Sequence, residues 1–369
     1  MRKLTGMAVA AFAVVGTCGI EPTDPRGHRP VADVPTGGPC PQYACGANSP
    51  VLETHGFHDL SLVSAAPMPA TATTPNDAGF AIAASDHRAQ IVSRAGASYD
   101  LRVEDGRIIG RCRTGGCAPL RGGDLLGATI ALARGDARYA IAIANVRPLD
   151  YFLGGGQTEA YTLQWMAAGR PAENLCDGPA GAPRASTSLG ADEAVVFEGD
   201  RIDARRRTMS RDAETDDDWF NIGCADSALA KLRLTRNTVH SQLRTAEAPS
   251  RQARYWEQRQ ATLKMYSADY CGTGAAFTVP GQRLVWKGDL MAEFFAPPSE
   301  LEARWNENGA SCLYRPRMMS PTSSVGAAAF PDVERAIARA CAVPTCTNLD
   351  VRDFDGQDRV SSNPVAIAR

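Results

Sequence analysis

Carboxylates are the side chains of this sequence best placed to do chemistry. Two acids held at a fixed separation can divide acid and base work in a hydrolase, and Asp269 and Glu302 are the candidates for such a pair. Asp269 stands at the end of a segment rich in helix formers. A negative charge there opposes the helix dipole and costs a few tenths of a kcal/mol or more unless it is partnered. An arginine is the expected partner, with Tyr270 packed beside a disulfide. The competing reading makes Asp269 an acid or base in a cleft. His55-x-x-His58, with Glu53 and Asp59 nearby, can bring two imidazoles to a metal only on a helix, and Gly56 argues against one. Asp353, Asp355 and Asp358, with Asp350 and Gly356, make the densest oxygen cluster. They match only part of a calcium loop, whose later Glu is missing, so a solvated acidic turn is expected. No Gly-x-Ser-x-Gly, His-Glu-x-x-His, Walker A or Ser-x-x-Lys pattern occurs, and no cofactor is expected.

Cysteine is the other reactive residue. Of the eleven, Cys18 ends an apolar leader, and ten remain: Cys40, Cys45, Cys112, Cys117, Cys176, Cys224, Cys271, Cys312, Cys341 and Cys346. Spacing suggests three local pairs, Cys40 with Cys45, Cys112 with Cys117 and Cys341 with Cys346. Cys176 with Cys224 and Cys271 with Cys312 would complete the set, although spacing leaves other connectivities open. Zinc is the rival use, but the repeated Cys-x2-Cys knuckles of a zinc site are missing.

Residues 1–18 read as a signal peptide. Arg2 and Lys3 precede the nearly uncharged run Leu4 to Thr17, which at about 21 Å is too short to cross a bilayer. Val14-Val15-Gly16-Thr17-Cys18 resembles a lipobox, with Cys18 as the lipidation site; simple secretion is the alternative. The protein is therefore expected outside the cytoplasm, lipid-anchored to the envelope or secreted. With 39 basic and 41 acidic residues no positive field exists to hold nucleic acid. The partner would be an extracytoplasmic ligand or protein of unknown identity, and contact with a membrane would come only through the N-terminal lipid.

A hydrophobic content of 44% in 369 residues suffices for real cores. Residues 19–49 read as a Pro/Gly-rich tether. Residues 50–170 read as a β-sandwich or barrel-like unit, with hairpins at Asp105-Gly106 and Gly135-Asp136. Residues 171–320 read as an α+β unit stapled by disulfides. It contains a helix over 251–270, with Trp256, Leu263, Tyr266 and Tyr270 on one face, and strands at 277–279, 284–286 and 290–295. Residues 321–369 add a helix over 331–342 and an acidic tail. The fold class is α+β, rich in strand.

The strings Ala268-Asp269-Tyr270-Cys271-Gly272, Leu301-Glu302-Ala303-Arg304-Trp305 and Gly309-Ala310-Ser311-Cys312 resemble the ADYC domain of secreted bacterial proteins, a family without assigned activity. Phe220-Asn221-Ile222-Gly223-Cys224 and Ala228-Leu229-Ala230-Lys231 are similar to it as well. Leu232 and Thr262 stand where the family commonly carries cysteines, and their joint absence implies one lost disulfide. The resemblance implies no catalytic role for any residue. The expected function is that of a noncatalytic envelope or secreted protein, structural or ligand-binding, and a secreted carboxylate-dependent hydrolase is the alternative.

Overall fold

Local turn chemistry sets the first strands. The computed structural model describes residues 49–53, 56–63, 76, 78–85, 87–113, 116–151, 156–176, 189–210, 218–225, 227–239, 249–278, 284–288, 301–319, 332–349, 358 and 360–364. Asp105 and Gly106 both take positive φ, 53° and 66°, the geometry of a two-residue type I′ turn. They join β5 (Ser98–Glu104) to β6 (Arg107–Arg111) in register Glu104 to Arg107. Gly135-Asp136 likewise joins β7 (Thr129–Arg134) to β8 (Ala137–Asp150).

These strands belong to an antiparallel sheet of twelve. The others are β1 (Leu60–Ser61), β2 (Ala81–Ile82), β3 (Ala84–Ser85), β4 (Arg88–Val92), β9 (Gln157–Ala167), β10 (Glu173–Asn174), β11 (Ala194–Glu198) and β14 (Trp219–Cys224). The path β1-β14-β11-β9-β8-β7-β4-β5-β6 is open, with β1 and β6 at its ends. It rolls back on itself. Glu198 at the end of β11 accepts the amides of Asp105 and Gly106 at 2.7 and 2.8 Å, and the Tyr161 hydroxyl accepts the amide of Ile108 at 2.8 Å. The rolled face encloses one core, with Leu62, Ile91, Leu101, Ile130, Ile143 and Leu163 among its residues. Each such side chain contributes about 1.5–3 kcal/mol by leaving water.

A bulge in β8 gives the sheet a second face to bury. Register shifts between Ile143 and Asn145 against β9, and a one-residue slip turns every later side chain over. Ile141 and Ile143 therefore point into the rolled core, whereas Leu149 belongs to a second core. Strands β11 and β14 lie between the two. Val195 and Phe197 pack in the second core while Ala194, Val196, Phe220 and Ile222 pack in the first, which is why Ala-Val-Val-Phe reads as an unbroken apolar run. The boundary expected at residue 170 falls inside this sheet, because β9 pairs with both β10 and β11.

The second core is covered by helices and a smaller sheet. Helix α1 (Ala228–Leu234) is capped by Ser227, whose hydroxyl accepts the Ala230 amide at 3.1 Å, and every one of its residues is buried. It packs on α2 (Pro249–Ser267). The four-stranded sheet runs β15 (Leu284–Gly288), β18 (Val360–Pro364), β16 (Ala303–Asn306) and β17 (Gly309–Leu313). Helix α3 (Val333–Ala340) places Val333 and Ile337 on the same core, and a two-stranded ribbon, β12 (Ile202–Asp203) with β13 (Thr208–Met209), completes it. The fold is α+β and rich in strand. Residues 277–278, expected in a strand, join no ladder; 279 and 290–295 lie outside the described residues. Among the described residues no helix is long and apolar enough to cross a membrane.

Candidate functional site

The end of α2 organises the residues singled out by the sequence. The helix stops three residues before Tyr270 because Ala268 takes a left-handed φ of 50°. The Ala268 amide donates to the Met265 carbonyl and the Asp269 amide to the Lys264 carbonyl, the paired bonds of a Schellman turn. Asp269 is thus beyond the helix rather than in its last turn. Tyr270 leaves the helical face on which its spacing had put it.

The reversal folds Asp269 back onto its own helix. Its partner is Lys264, not the arginine expected: Nζ lies 2.7 Å from Oδ2, and both side chains are inaccessible to solvent. The Gly274 amide donates to the same oxygen at 2.8 Å, and Lys264 also donates to the carbonyls of Arg206 and Gly272. Burial pushes the Lys264 ammonium below its usual range, and Asp269 offsets part of that. Gly272 is required by space as well as by its φ of 68°, since a Cβ there would sit 1.7 Å from the Asn308 carbonyl oxygen.

Glu302 occupies a separate buried cluster around Tyr270. Its Oε1 accepts from the Tyr270 hydroxyl at 2.6 Å and from Arg317 Nε at 2.7 Å, and Oε2 accepts from the Ser362 hydroxyl at 2.9 Å. Arg317 also donates from its backbone to the Tyr270 hydroxyl and from Nη2 to the Met265 carbonyl. Trp305 stacks on Tyr270 with ring centroids 5.2 Å apart and donates its indole N–H to Ser362. Burial alone would lower the Arg317 guanidinium, but Glu302 and then Tyr270 more than offset it, and the net direction is upward. Burial first and the Glu302 charge second push the Tyr270 phenol well above its ordinary value.

Asp269 and Glu302 are both 0% exposed. An acid or base must reach its substrate, so in this state neither carboxylate is placed for the chemistry weighed for it. They fit another task. Two neutralised charges, 33 positions apart in the chain, fix the turn after α2 against β16, β18 and the short turn Arg317–Met319. The Ser362 and Arg317 contributions carried no local signal. An Arg two residues before the end of Arg315-Pro316-Arg317-Met318-Met319 can pair with any buried acid.

The remaining candidates are dispersed. His58 is buried 3.5 Å from Glu53, while His55 lies outside the described residues. Asp358 is not a solvated turn residue but is buried against Arg304 at 3.5 Å and Ser311. Asp350, Asp353 and Asp355 lie outside the described residues. Among the described residues no three of His, Cys, Asp or Glu are grouped to hold a metal.

Among the described residues four disulfides are present: Cys112 to Cys117, Cys176 to Cys224, Cys271 to Cys341 and Cys312 to Cys346. The first two are the pairs expected. The pairing of Cys271 with Cys312 and of Cys341 with Cys346 is corrected. Cys341 caps α3 beside the α2 turn, and Thr345 pairs in parallel with Leu313, which brings Cys346 to its neighbour Cys312. Cys18, Cys40 and Cys45 lie outside the described residues. Four crosslinks fit an oxidising, extracytoplasmic environment.

No curated protein and no solved structure matches the chain. Residues 122–319, more than half of its length, match the ADYC domain, and they include Asp269, Tyr270, Cys271, Glu302 and Arg317. The residues that give the turn after α2 its buried charges thus fall within the matched region, and the chain belongs to the ADYC domain family.

Proposed function

We propose that this chain is a noncatalytic envelope or secreted protein that serves as a stapled structural or ligand-binding module, exported by its first eighteen residues and either lipidated at Cys18 or released. The observation that carries the reading is the burial of Asp269 and Glu302, each neutralised by its own cation. A carboxylate-dependent hydrolase would keep at least one of them open to its substrate.

The test uses the purified oxidised protein with chromogenic ester, glycoside and peptide substrates. The expected result is no turnover above that of Asp269→Asn and Glu302→Gln. Wild-type turnover that is abolished in either variant, while that variant remains folded at the assay temperature, would establish the hydrolase instead. Metabolic labelling with a fatty-acid probe decides the anchor: label lost in Cys18→Ser supports lipidation, and an unlabelled, shortened wild-type chain supports simple cleavage.

A further inference from the structure

One disulfide differs from the others in its surroundings. Cys117 is exposed and Cys112 half-buried, whereas Cys176 and Cys224 are 6% and 3% exposed in the rolled core, and Cys271 and Cys341 pack on the second core. A thiolate must approach a sulfur along the S–S axis. The folded protein offers that approach most openly at Cys117, while a buried pair must first be uncovered by local unfolding.

The position of this pair gives it a consequence. Cys112 directly follows β6, the last strand of the large sheet, and the chain beyond Cys117 returns to lay Leu120 along it. Gly110 and Leu120 exchange both backbone hydrogen bonds, at 3.1 and 2.9 Å, and Leu120 packs against the rolled core. The other outward amide of the strand, at Ile108, is taken by Tyr161. The crosslink therefore closes a strap over a strand edge that would otherwise present unpaired backbone groups.

We propose that Cys112–Cys117 is a thiol-exchange site, opened in the folded protein by a dithiol reductant, and that its opening loosens the strap over β6. One thiolate of the dithiol attacks Cys117 Sγ, the bond to Cys112 breaks, and Cys112 leaves as a thiolate that takes up a proton. The second thiolate then attacks the mixed disulfide, closing the dithiol into its own disulfide and releasing Cys117. The dithiol loses two electrons and the protein pair gains them. Arg113 remains held by Asp100 at 3.1 Å, so the segment loosens without the sheet coming apart.

The experiment titrates the native full-length protein with dithiothreitol, traps free thiols with N-ethylmaleimide and maps them by mass spectrometry, with amide exchange followed in parallel. Cys112 and Cys117 should be labelled at a reductant concentration at least tenfold below that needed for Cys176, Cys224, Cys271, Cys312, Cys341 and Cys346. Amide exchange at Gly110 and Leu120 should rise at the same concentration. The double variant Cys112→Ser/Cys117→Ser should lack this first step and show fast exchange at both amides without reductant. Labelling of these eight cysteines in one cooperative step, earlier labelling of another of the four described pairs, or unchanged exchange at Gly110 and Leu120 would overturn the proposal.

Discussion

Replacing Glu302 by Gln tests the account of the buried cluster most directly. The carboxylate accepts three hydrogen bonds, from Tyr270, Arg317 and Ser362. Bonds to a charged group contribute roughly 1.5–3 kcal/mol and neutral ones roughly 0.5–1.5, so neutralising the acceptor costs about 1 kcal/mol per bond, or about 3 in all. That agrees with the roughly 3–5 kcal/mol lost when one partner of a buried ion pair is removed and the other is left charged. Urea unfolding of the oxidised protein reads this loss, with Trp286 and Trp305 in the same core as fluorescent reporters. Adding Arg317→Met removes the stranded cation, so the double variant should lose less than the two single losses combined, by roughly 0.5–3 kcal/mol. A single-variant loss below about 1 kcal/mol, or strict additivity, would refute the reasoning.

Three more outcomes follow from the same geometry. Cys271→Ala/Cys341→Ala opens a loop spanning 70 positions and should cost about 4 kcal/mol, against about 2 for Cys112→Ala/Cys117→Ala, as judged by denaturant midpoints. Gly272→Ala forces a Cβ into the Asn308 carbonyl at positive φ and should cost at least about 3 kcal/mol or prevent folding, read by soluble yield and melting. Tyr270 keeps its proton in the folded chain at pH values where the unfolded chain has lost it. The stability tied to that proton is complete below pH about 10 and drains away as pH rises toward the raised folded value, with a slope of about 1.4 kcal/mol per pH unit. Unfolding curves between pH 9.5 and 11 should be less pH-dependent in Tyr270→Phe by up to that slope; Tyr161 and Tyr266, also raised, act in the same direction and the lowered Lys264 in the opposite one.

What the sequence disclosed was what neighbouring residues decide. Asp105-Gly106 and Gly135-Asp136 make their hairpins because a two-residue turn needs little more than its own backbone preferences. Cys112 and Cys117 meet for the same reason. The helix over 251–270 was visible from composition, but its end was not, since Ala268 in a left-handed conformation is the residue a sequence reader would not choose. With the end misplaced, Lys264 was overlooked as a partner for Asp269, although five positions suffice once the chain reverses. The pairings made through α3 and β17 gave no signal. Cys341 and Cys346 resemble a local pair until α3 and β17 are in place, and the bulge in β8 that turns Leu149 to the second core has no marker in Ile143-Ala144-Asn145. Asp269 and Glu302 were put forward as candidate catalytic carboxylates, and their surroundings show that each is neutralised by a buried cation.

The matched stretch ends at Met319, yet the cluster it carries is finished by residues beyond it. Ser362 supplies a bond to Glu302, and Cys341 and Cys346 are the mates of Cys271 and Cys312. An excised 122–319 fragment would carry two orphan sulfhydryls, free to join each other or a second molecule, and would strip β4, β5 and β6 from the rolled sheet. The signature by which such chains are recognised is therefore shorter than the piece that must be expressed, and crosslinked oligomers from a trimmed version would report the trimming rather than the protein.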